Sequence, residues 1–276
     1  MSQQNPLPTI AILGAGNLGR SIIAGLIKSG YPADKLWATA KHDPRLQKYK
    51  KDFHIHITTD NHHAAQFADV IIFAVKPTVL IDVVKEVQDI ISKRKPLIIS
   101  VAAGVQIESI ARAALVDVPI IRAMPNTPTQ LRLGAIGLCA NAIVKEGDCN
   151  TAESIFDTIG VTCWVKQEEL MDVVTALSGC GPAYFFLLME ALQQAAEEFG
   201  LPEEAARLLT LQTAVGAAQM ALESEHSPSQ LRQHVTSPGG TTEKALSVLE
   251  KHNFSALMKE ALEAAIERAK EMANKY

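Results

Sequence analysis

Along the first half of the chain the apolar residues gather into short runs rich in β-branched side chains, at positions 9–13, 36–39, 54–58, 70–75, 97–101 and 120–123. Near-continuous runs of this length suit strands covered on both faces, whereas a half-exposed strand would alternate apolar with polar. Between the runs, apolar positions recur at helical spacing: Leu18, Ile22 and Leu26 within 17–29, then Val79, Val83, Val87 and Ile90 within 79–91. Strand and helix in alternation predict a parallel sheet joined by right-handed crossovers.

From Glu168 onward the rhythm changes. Long helical patterns run over 170–199, interrupted around 178–182, then over 202–224 and 242–275, and no strand pattern appears. Pro202 stands near a favourable first-turn position for the second of these. The boundary is expected within 165–168, giving one domain over 1–166 and another over 167–276. Apolar stripes such as Leu208, Leu211, Val215 and Ala218 are broad for so small a helical domain. They predict a homodimer formed through it, with a self-contained bundle as the alternative.

Composition narrows the functional class. Hydrophobic residues make up 47% and aromatics only 5%, so the core must be aliphatic. The net charge is −4 and Lys and Arg are spread along the chain, which speaks against nucleic acid and against acidic membranes as partners. The opening residues, from Met1 to Pro8, lack the pattern of a secretory signal, and no apolar stretch is expected to reach the roughly 20 residues of a membrane span. Cys139, Cys149, Cys163 and Cys180 show no C-x-x-C spacing, so a cytoplasmic location is expected, without disulfides or a metal site. The histidines, among them His54, His56, His62 and His63, have no helical metal-ligand spacing.

Gly14-Ala15-Gly16-Asn17-Leu18-Gly19 fits G-x-G-x-x-G, follows the run at 9–13 and opens the helix at 17–29. In that context the glycines serve a tight turn, a close approach of pyrophosphate to the backbone, and close packing of helix on sheet. The expected architecture is therefore an α/β Rossmann-type doubly wound sheet followed by an all-α helical dimerisation domain. A site for NAD usually places an acid at the end of the second strand. Here the chain reads Trp37-Ala38-Thr39-Ala40-Lys41-His42 and then Arg45, which favours the extra phosphate of NADPH, although Asp43 weakens the basic patch and NADH remains open. Ala74-Val75-Lys76-Pro77 and Ser100-Val101-Ala102-Ala103-Gly104 close two further strands, whose carboxyl ends should flank the same crevice. Lys76 is expected there either through its side chain or through its main chain alone.

The 3-hydroxyacid dehydrogenases join such a domain to a helical one that begins with G-x-G-x-x-x-K. This chain has Gly179-Cys180-Gly181-Pro182-Ala183-Tyr184-Phe185, with Phe185 in the lysine slot. An alcohol needs that proton acceptor, whereas an iminium can arrive already protonated and needs chiefly orientation. A second loop, Ser237-Pro238-Gly239-Gly240-Thr241-Thr242, precedes the last helical pattern. Backbone N–H groups there suit a carboxylate, and the hydroxyls of Thr241 and Thr242 either cap the helix, the expectation from spacing alone, or reach a substrate.

These stretches resemble the pyrroline-5-carboxylate reductase family. The most specific is Val235-Thr236-Ser237-Pro238-Gly239-Gly240-Thr241-Thr242-Glu243-Lys244-Ala245-Leu246, supported by Ala176-Leu177-Ser178-Gly179-Cys180-Gly181-Pro182-Ala183-Tyr184 and Met124-Pro125-Asn126-Thr127-Pro128. The resemblance covers almost the whole chain. It implies reduction of 1-pyrroline-5-carboxylate to L-proline between the two domains, with Thr242 bonding the ring nitrogen. The backbone of Gly239, Gly240 and Thr241 would hold the carboxylate, with Ser237 and the acidic Glu225 near the site. Asn61, Ala74, Lys76, Pro77, Ala102, Ala103 and Gly104 would line the NADPH groove, and the dimer would often assemble into a decamer. The chain departs from the family at Arg232-Gln233, where Lys-Asp is frequent, and His234 is expected at the surface. Rival readings are a reductase of six-membered imines and a dinucleotide sensor without turnover.

Overall fold

The computed structural model describes residues 7–41 and 43–273. His42 of the basic turn, positions 1–6 and Lys275 at the end of the last expected helix lie outside the described residues. The chain divides into two compact units. One runs to Cys180 and takes back the chain from Ala265 onward, and the other is Gly181–Ala264. This division falls later than the 166/167 boundary read from periodicity. The reason is that Met171 is buried in the core on one sheet face, and Val174 presses on Gly137 of the sheet, so the first helical turns stay with the strands.

In the sheet unit, β1 (Ile10–Leu13), β2 (Leu36–Thr39), β3 (His56–Thr58), β4 (Val70–Phe73), β5 (Leu97–Ser100) and β6 (Ile120–Met124) are parallel. Two more strands extend the sheet: β7 (Gly134–Ala140), antiparallel to β6, and β8 (Gly160–Trp164), parallel to β7. The order is β3-β2-β1-β4-β5-β6-β7-β8, so chain direction across the sheet reverses between β1 and β4. Alternate residues of one strand enter opposite cores. Ile10 and Ile12 pack with Ile22, Ile23 and Leu26 of α1 (Asn17–Lys28), Leu46 and Tyr49 of α2 (Asp43–Phe53), and Ile155 of α7 (Glu146–Phe156). Ala11 and Leu13 face α3 (Asn61–Ala65), α4 (Pro77–Glu86), α5 (Gln88–Arg94) and α6 (Ile107–Ala114).

The strands expected from apolar runs are present, some a residue or two shorter. β7 and β8 were not expected, because Gly134, Gly137 and Gly160 dilute their apolar pattern. Those glycines are required by proximity: a Cβ on Gly160 would lie 2.1 Å from the Gly134 carbonyl oxygen. The helix expected over 79–91 is instead α4 and α5, broken at the fully buried Val87, whose φ of −109° and ψ of 13° leave the helical range.

The helical unit carries α9 (Gly181–Glu198), α10 (Glu203–Glu223), α11 (Pro228–His234), α12 (Thr241–Lys251) and the start of α13 (Phe254–Ala273). The single helix expected over 242–275 is two, separated at Asn253, where φ is +52°. α11 was not expected, although its start is written in the chain: Pro228 opens it, and Ser227 and Gln230 form a reciprocal capping box. Within this unit the buried residues are Gly181 and Ala206, while Phe185, Phe186, Leu187, Leu208 and Val215 are exposed. The alternative of a self-contained bundle is therefore wrong, since the unit has no core of its own.

The expectation that no apolar stretch approaches a membrane span also needs correction. Leu170–Glu198 is 29 residues long and holds an 18-residue window with a mean hydropathy of 1.4, which is long and apolar enough by length and composition. The residues around 178–182 looked like an interruption, but α8 (Leu170–Val174) continues into α9 through a π turn at Thr175–Gly179, closed by the Cys180 N–H on the Thr175 carbonyl at 2.8 Å.

Gly160→Ala should cost about 3 kcal/mol, since backbone rather than a mobile side chain blocks the new methyl. Gly147→Ala, on the open face of α7 where nothing lies within 4 Å, should gain roughly 0.5–1 kcal/mol. Urea unfolding at one fixed protein concentration checks both, and equal effects would remove the steric account of β8.

Candidate active site

The reversal of strand order places the carboxyl ends of β1 and β4 side by side, the position where doubly wound sheets bind ligands. β1 leaves the sheet at Gly14, where φ is +80° and a Cβ would come within 2.3 Å of Val75 Cγ1. Only glycine meets both conditions. The loop is then turned back onto the protein. The Gly14 N–H donates to Thr39 Oγ1 at 3.0 Å, and the Ala15 N–H donates to the Thr39 carbonyl at 2.7 Å. The Tyr49 hydroxyl donates to the carbonyls of Ala15 at 3.0 Å and Gly16 at 3.2 Å. With its carbonyls so occupied, the loop presents the start of α1, where Gly16 is the N-cap, Asn17 is exposed, and no side chain caps the helix. Uncapped N–H groups at a helix start attract an anion. Gly19 lets α1 approach β1, since a Cβ there would meet Ile12 Cγ2 at 3.1 Å, and Leu18 packs on the same core.

Beside this loop lies a cavity of about 240 Å³ whose walls include Gly14, Thr39, Lys41, Asn61, Val75 and Glu86. Thr39 Oγ1 donates to Asn61 Oδ1 at 2.6 Å, and Asn61 Nδ2 donates to Glu86 Oε2 at 3.0 Å. Lys41 is exposed at its rim, and a Cβ on Gly16 would lie 3.8 Å from Arg45 Nη1. Burial pushes the Tyr49 phenol up, while Arg45 and Arg20 pull it the other way, which places two cations around the loop. Asp82 and Glu86 also line this cavity and were missed in the sequence. Their i, i+4 spacing on a helix that begins at a strand end was the available signal.

The remaining crevice residues follow the strand ends. The Ala74 N–H donates to the Leu13 carbonyl at 2.8 Å. Lys76, exposed and extended at ψ 145°, precedes Pro77, the first residue of α4. After β5, Ala102 and Gly104 are buried, Ala103 is half-buried, and Gly104 at φ +75° packs against Met272 of α13, its would-be Cβ 3.3 Å from the Met272 Cβ. A second cavity of about 270 Å³ is lined by Asn17, Leu18, Ser21, Pro125, Asn126 and Gly179, among others. Asn126 accepts from the Ala135 N–H at 3.0 Å and donates to the Ser178 carbonyl at 3.0 Å, fastening the π turn to the sheet. Sequence reasoning quoted Asn126, Ser178 and Gly179 within stretches that resemble the family but gave them no role, although π turns are frequent at functional positions.

In the helical unit, Gly239 has φ +73° and its N–H donates to Glu243 Oε2 at 2.9 Å. The Gly240 N–H donates to the Ser237 carbonyl at 2.9 Å. Gly240 is the N-cap of α12 and no side chain caps it. The expectation that Thr241 or Thr242 caps this helix is thus wrong. Its basis was spacing, but both threonines lie inside the helix rather than at the cap. Thr241 is exposed and Thr242 half-buried, so the helix start offers free N–H groups and hydroxyls together. Ser237 and Glu225 are exposed, and exposed His234 packs edge-on against His226 at 4.8 Å between ring centroids.

Comparison with known proteins bears on both units. Residues 168–272 match the family described as pyrroline-5-carboxylate reductase dimerisation, and residues 9–104 match NADP oxidoreductase coenzyme F420-dependent. The pyrroline-5-carboxylate reductase of Pseudomonas aeruginosa is 44% identical over 266 residues, covering 96% of this chain and 97% of its own. The structure of the Coxiella burnetii pyrroline-5-carboxylate reductase is similar with a TM-score of 0.94 at 47% identity, covering 97% of this chain and 99% of that one. That of the Plasmodium falciparum pyrroline carboxylate reductase, with NADP bound, gives 0.84 at 30% identity, covering 96% and 98%.

Tyr49→Phe should cost about 1 kcal/mol of stability and weaken dinucleotide binding about fivefold, because two loop carbonyls lose their donor. Fluorescence titration beside thermal unfolding measures both, and unchanged binding would remove Tyr49 from the support of the loop.

Proposed function

The chain belongs to the pyrroline-5-carboxylate reductase family, and we propose that its reduction of 1-pyrroline-5-carboxylate to L-proline uses NADPH held by the sheet unit and a substrate cradle in the helical unit. The observation that carries this reading is the pair of glycine loops, one in each unit, that both open onto uncapped helix starts. One suits a pyrophosphate and the other a carboxylate.

When bound, the reduced nicotinamide supplies a hydride to the carbon of the C=N bond. Gly14, Ala15, Gly16, Asn17, Leu18 and Gly19 take the pyrophosphate, and Ala74, Val75, Lys76 and Pro77 with Ala102, Ala103 and Gly104 line the groove. The backbone of Gly239, Gly240 and Thr241 takes the substrate carboxylate, the Gly239 and Gly240 N–H groups exchanging Glu243 and the Ser237 carbonyl for it, with Ser237 and the acidic Glu225 near the site. The Thr242 hydroxyl orients the ring nitrogen, which needs one proton for each hydride received. The lysine slot holds Phe185, an exposed side chain of α9, so no strong base is supplied there. That absence suits an imine, whose reduction requires orientation more than proton abstraction.

NADPH is preferred in this reading because Lys41 borders the Gly14–Asn61 cavity, Arg45 lies close to the loop, and Glu86 is already engaged by Asn61. NADH should serve less well. The exposed apolar faces of α9 and α10, within the stretch matching a dimerisation family, support a homodimer, and further assembly into a decamer is what the family resemblance adds. Four free cysteines support a reducing, cytoplasmic setting.

Following NADPH oxidation with product analysis tests the assignment. L-proline must form, and faster turnover of a six-membered imine would move the substrate class. Thr242→Ala should lower kcat about tenfold while NADPH affinity holds, and equal loss of both would make Thr242 structural. Lys41→Ala should lower kcat/KM with NADPH about tenfold and leave NADH nearly unchanged. Equal loss with both cofactors would remove Lys41 from the phosphate site.

A further inference from the structure

Arg122 lies mid-strand on β6, beside Ser100 of β5 and Cys139 of β7, with its side chain 3% exposed. A guanidinium there has lost its water and must be paired. Nη1 donates to Glu168 Oε1 at 3.1 Å. Nη2 lies 3.7 Å from Asp172 Oδ1, beyond a hydrogen bond, although both atoms are buried. Burial, reinforced by Glu168, pushes the neighbouring Cys139 thiol up, and Arg122 partly offsets it.

The same Glu168 oxygen also accepts the Ile107 N–H at 2.8 Å. Ile107 is the first residue of α6 and ends the loop that leaves β5 after Ser100. At the other end of that loop, Ser100 Oγ accepts the Ala102 N–H at 3.4 Å. The segment carrying Ala102, Ala103 and Gly104 is thus fastened at both ends, and its far end depends on a carboxylate aimed by Arg122. Asp172, the guanidinium's other partner, sits in α8 immediately before the π turn that Asn126 holds.

We propose that Glu168 and Arg122 are positioning residues for the cofactor: Arg122 orients the Glu168 carboxylate, which sets the 102–106 loop through the Ile107 amide. The proposal rests on the reading above that this loop lines the NADPH groove. Stability alone is a weak account of the cluster. A buried pair is often replaceable by apolar packing without loss, and here two carboxylates share one guanidinium. What an apolar replacement cannot do is accept the Ile107 N–H.

The experiment compares Glu168→Ala, Glu168→Gln and Glu168→Met in the full-length protein. NADPH-dependent turnover of 1-pyrroline-5-carboxylate by the parent tests the functional reading by itself. The ratios between variants then test the proposal. Glu168→Ala should raise KM for NADPH about fivefold, with kcat at saturating NADPH and KM for the imine within about twofold. Glu168→Gln retains an acceptor for the amide and should return KM for NADPH to within about twofold of the parent. Glu168→Met fills the space, accepts nothing and should match the alanine variant. An unchanged KM for NADPH in the alanine or methionine variant overturns the proposal, as does a glutamine variant no better than alanine.

Discussion

Val75 occupies the space in which a side chain on Gly14 would stand. That exclusion governs the sheet unit. Because β1 and β4 run side by side with every residue buried, their backbone polar groups are committed to each other and to β2 and β5 on either side, and freedom returns only past Leu13 and Phe73. At that point one strand must turn sharply beneath the other, and only glycine fits. The loop that results faces its carbonyls toward Tyr49 and its N–H groups toward Thr39 and the open crevice. The anion affinity proposed for this loop would then be a by-product of how two buried strands part company.

Most of the fold was legible in the chain, for physical reasons that also explain the failures. Strands buried on both faces require unbroken apolar runs, so β1, β4 and β5 were readable. β7 and β8 were not, because they pack through glycines, and a glycine chosen for the proximity of another backbone looks like a loop residue. Leu170–Glu198 looked broken because Ser178, Gly179, Gly181 and Pro182 are poor helix formers. A π turn absorbs the break, at the point where Asn126 grips Ser178.

The candidate site shows the same division. Gly14, Gly16 and Gly19 declare themselves by local geometry alone. Thr39, Tyr49 and Glu86 do not, because their roles depend on partners 20 or more positions away in some cases, brought near only by sheet order. The threonines of the second loop were misread in the opposite sense: spacing suggested caps, and the structure puts Gly240 at the cap, leaving the hydroxyls uncommitted. Arg122 escaped notice because one basic residue within an apolar strand has no pattern of its own.

The helical unit has apolar faces but no interior. On the dimer proposed above, α9 and α10 gain an interior only when a second copy supplies its far wall. The last stage of folding is then a collision between two chains, with a rate set by their concentration rather than by either chain alone. A solitary newly made chain, its sheet unit already formed, would linger with Phe186 and Leu187 bare to the solvent, the state in which aggregation and chaperones compete for it.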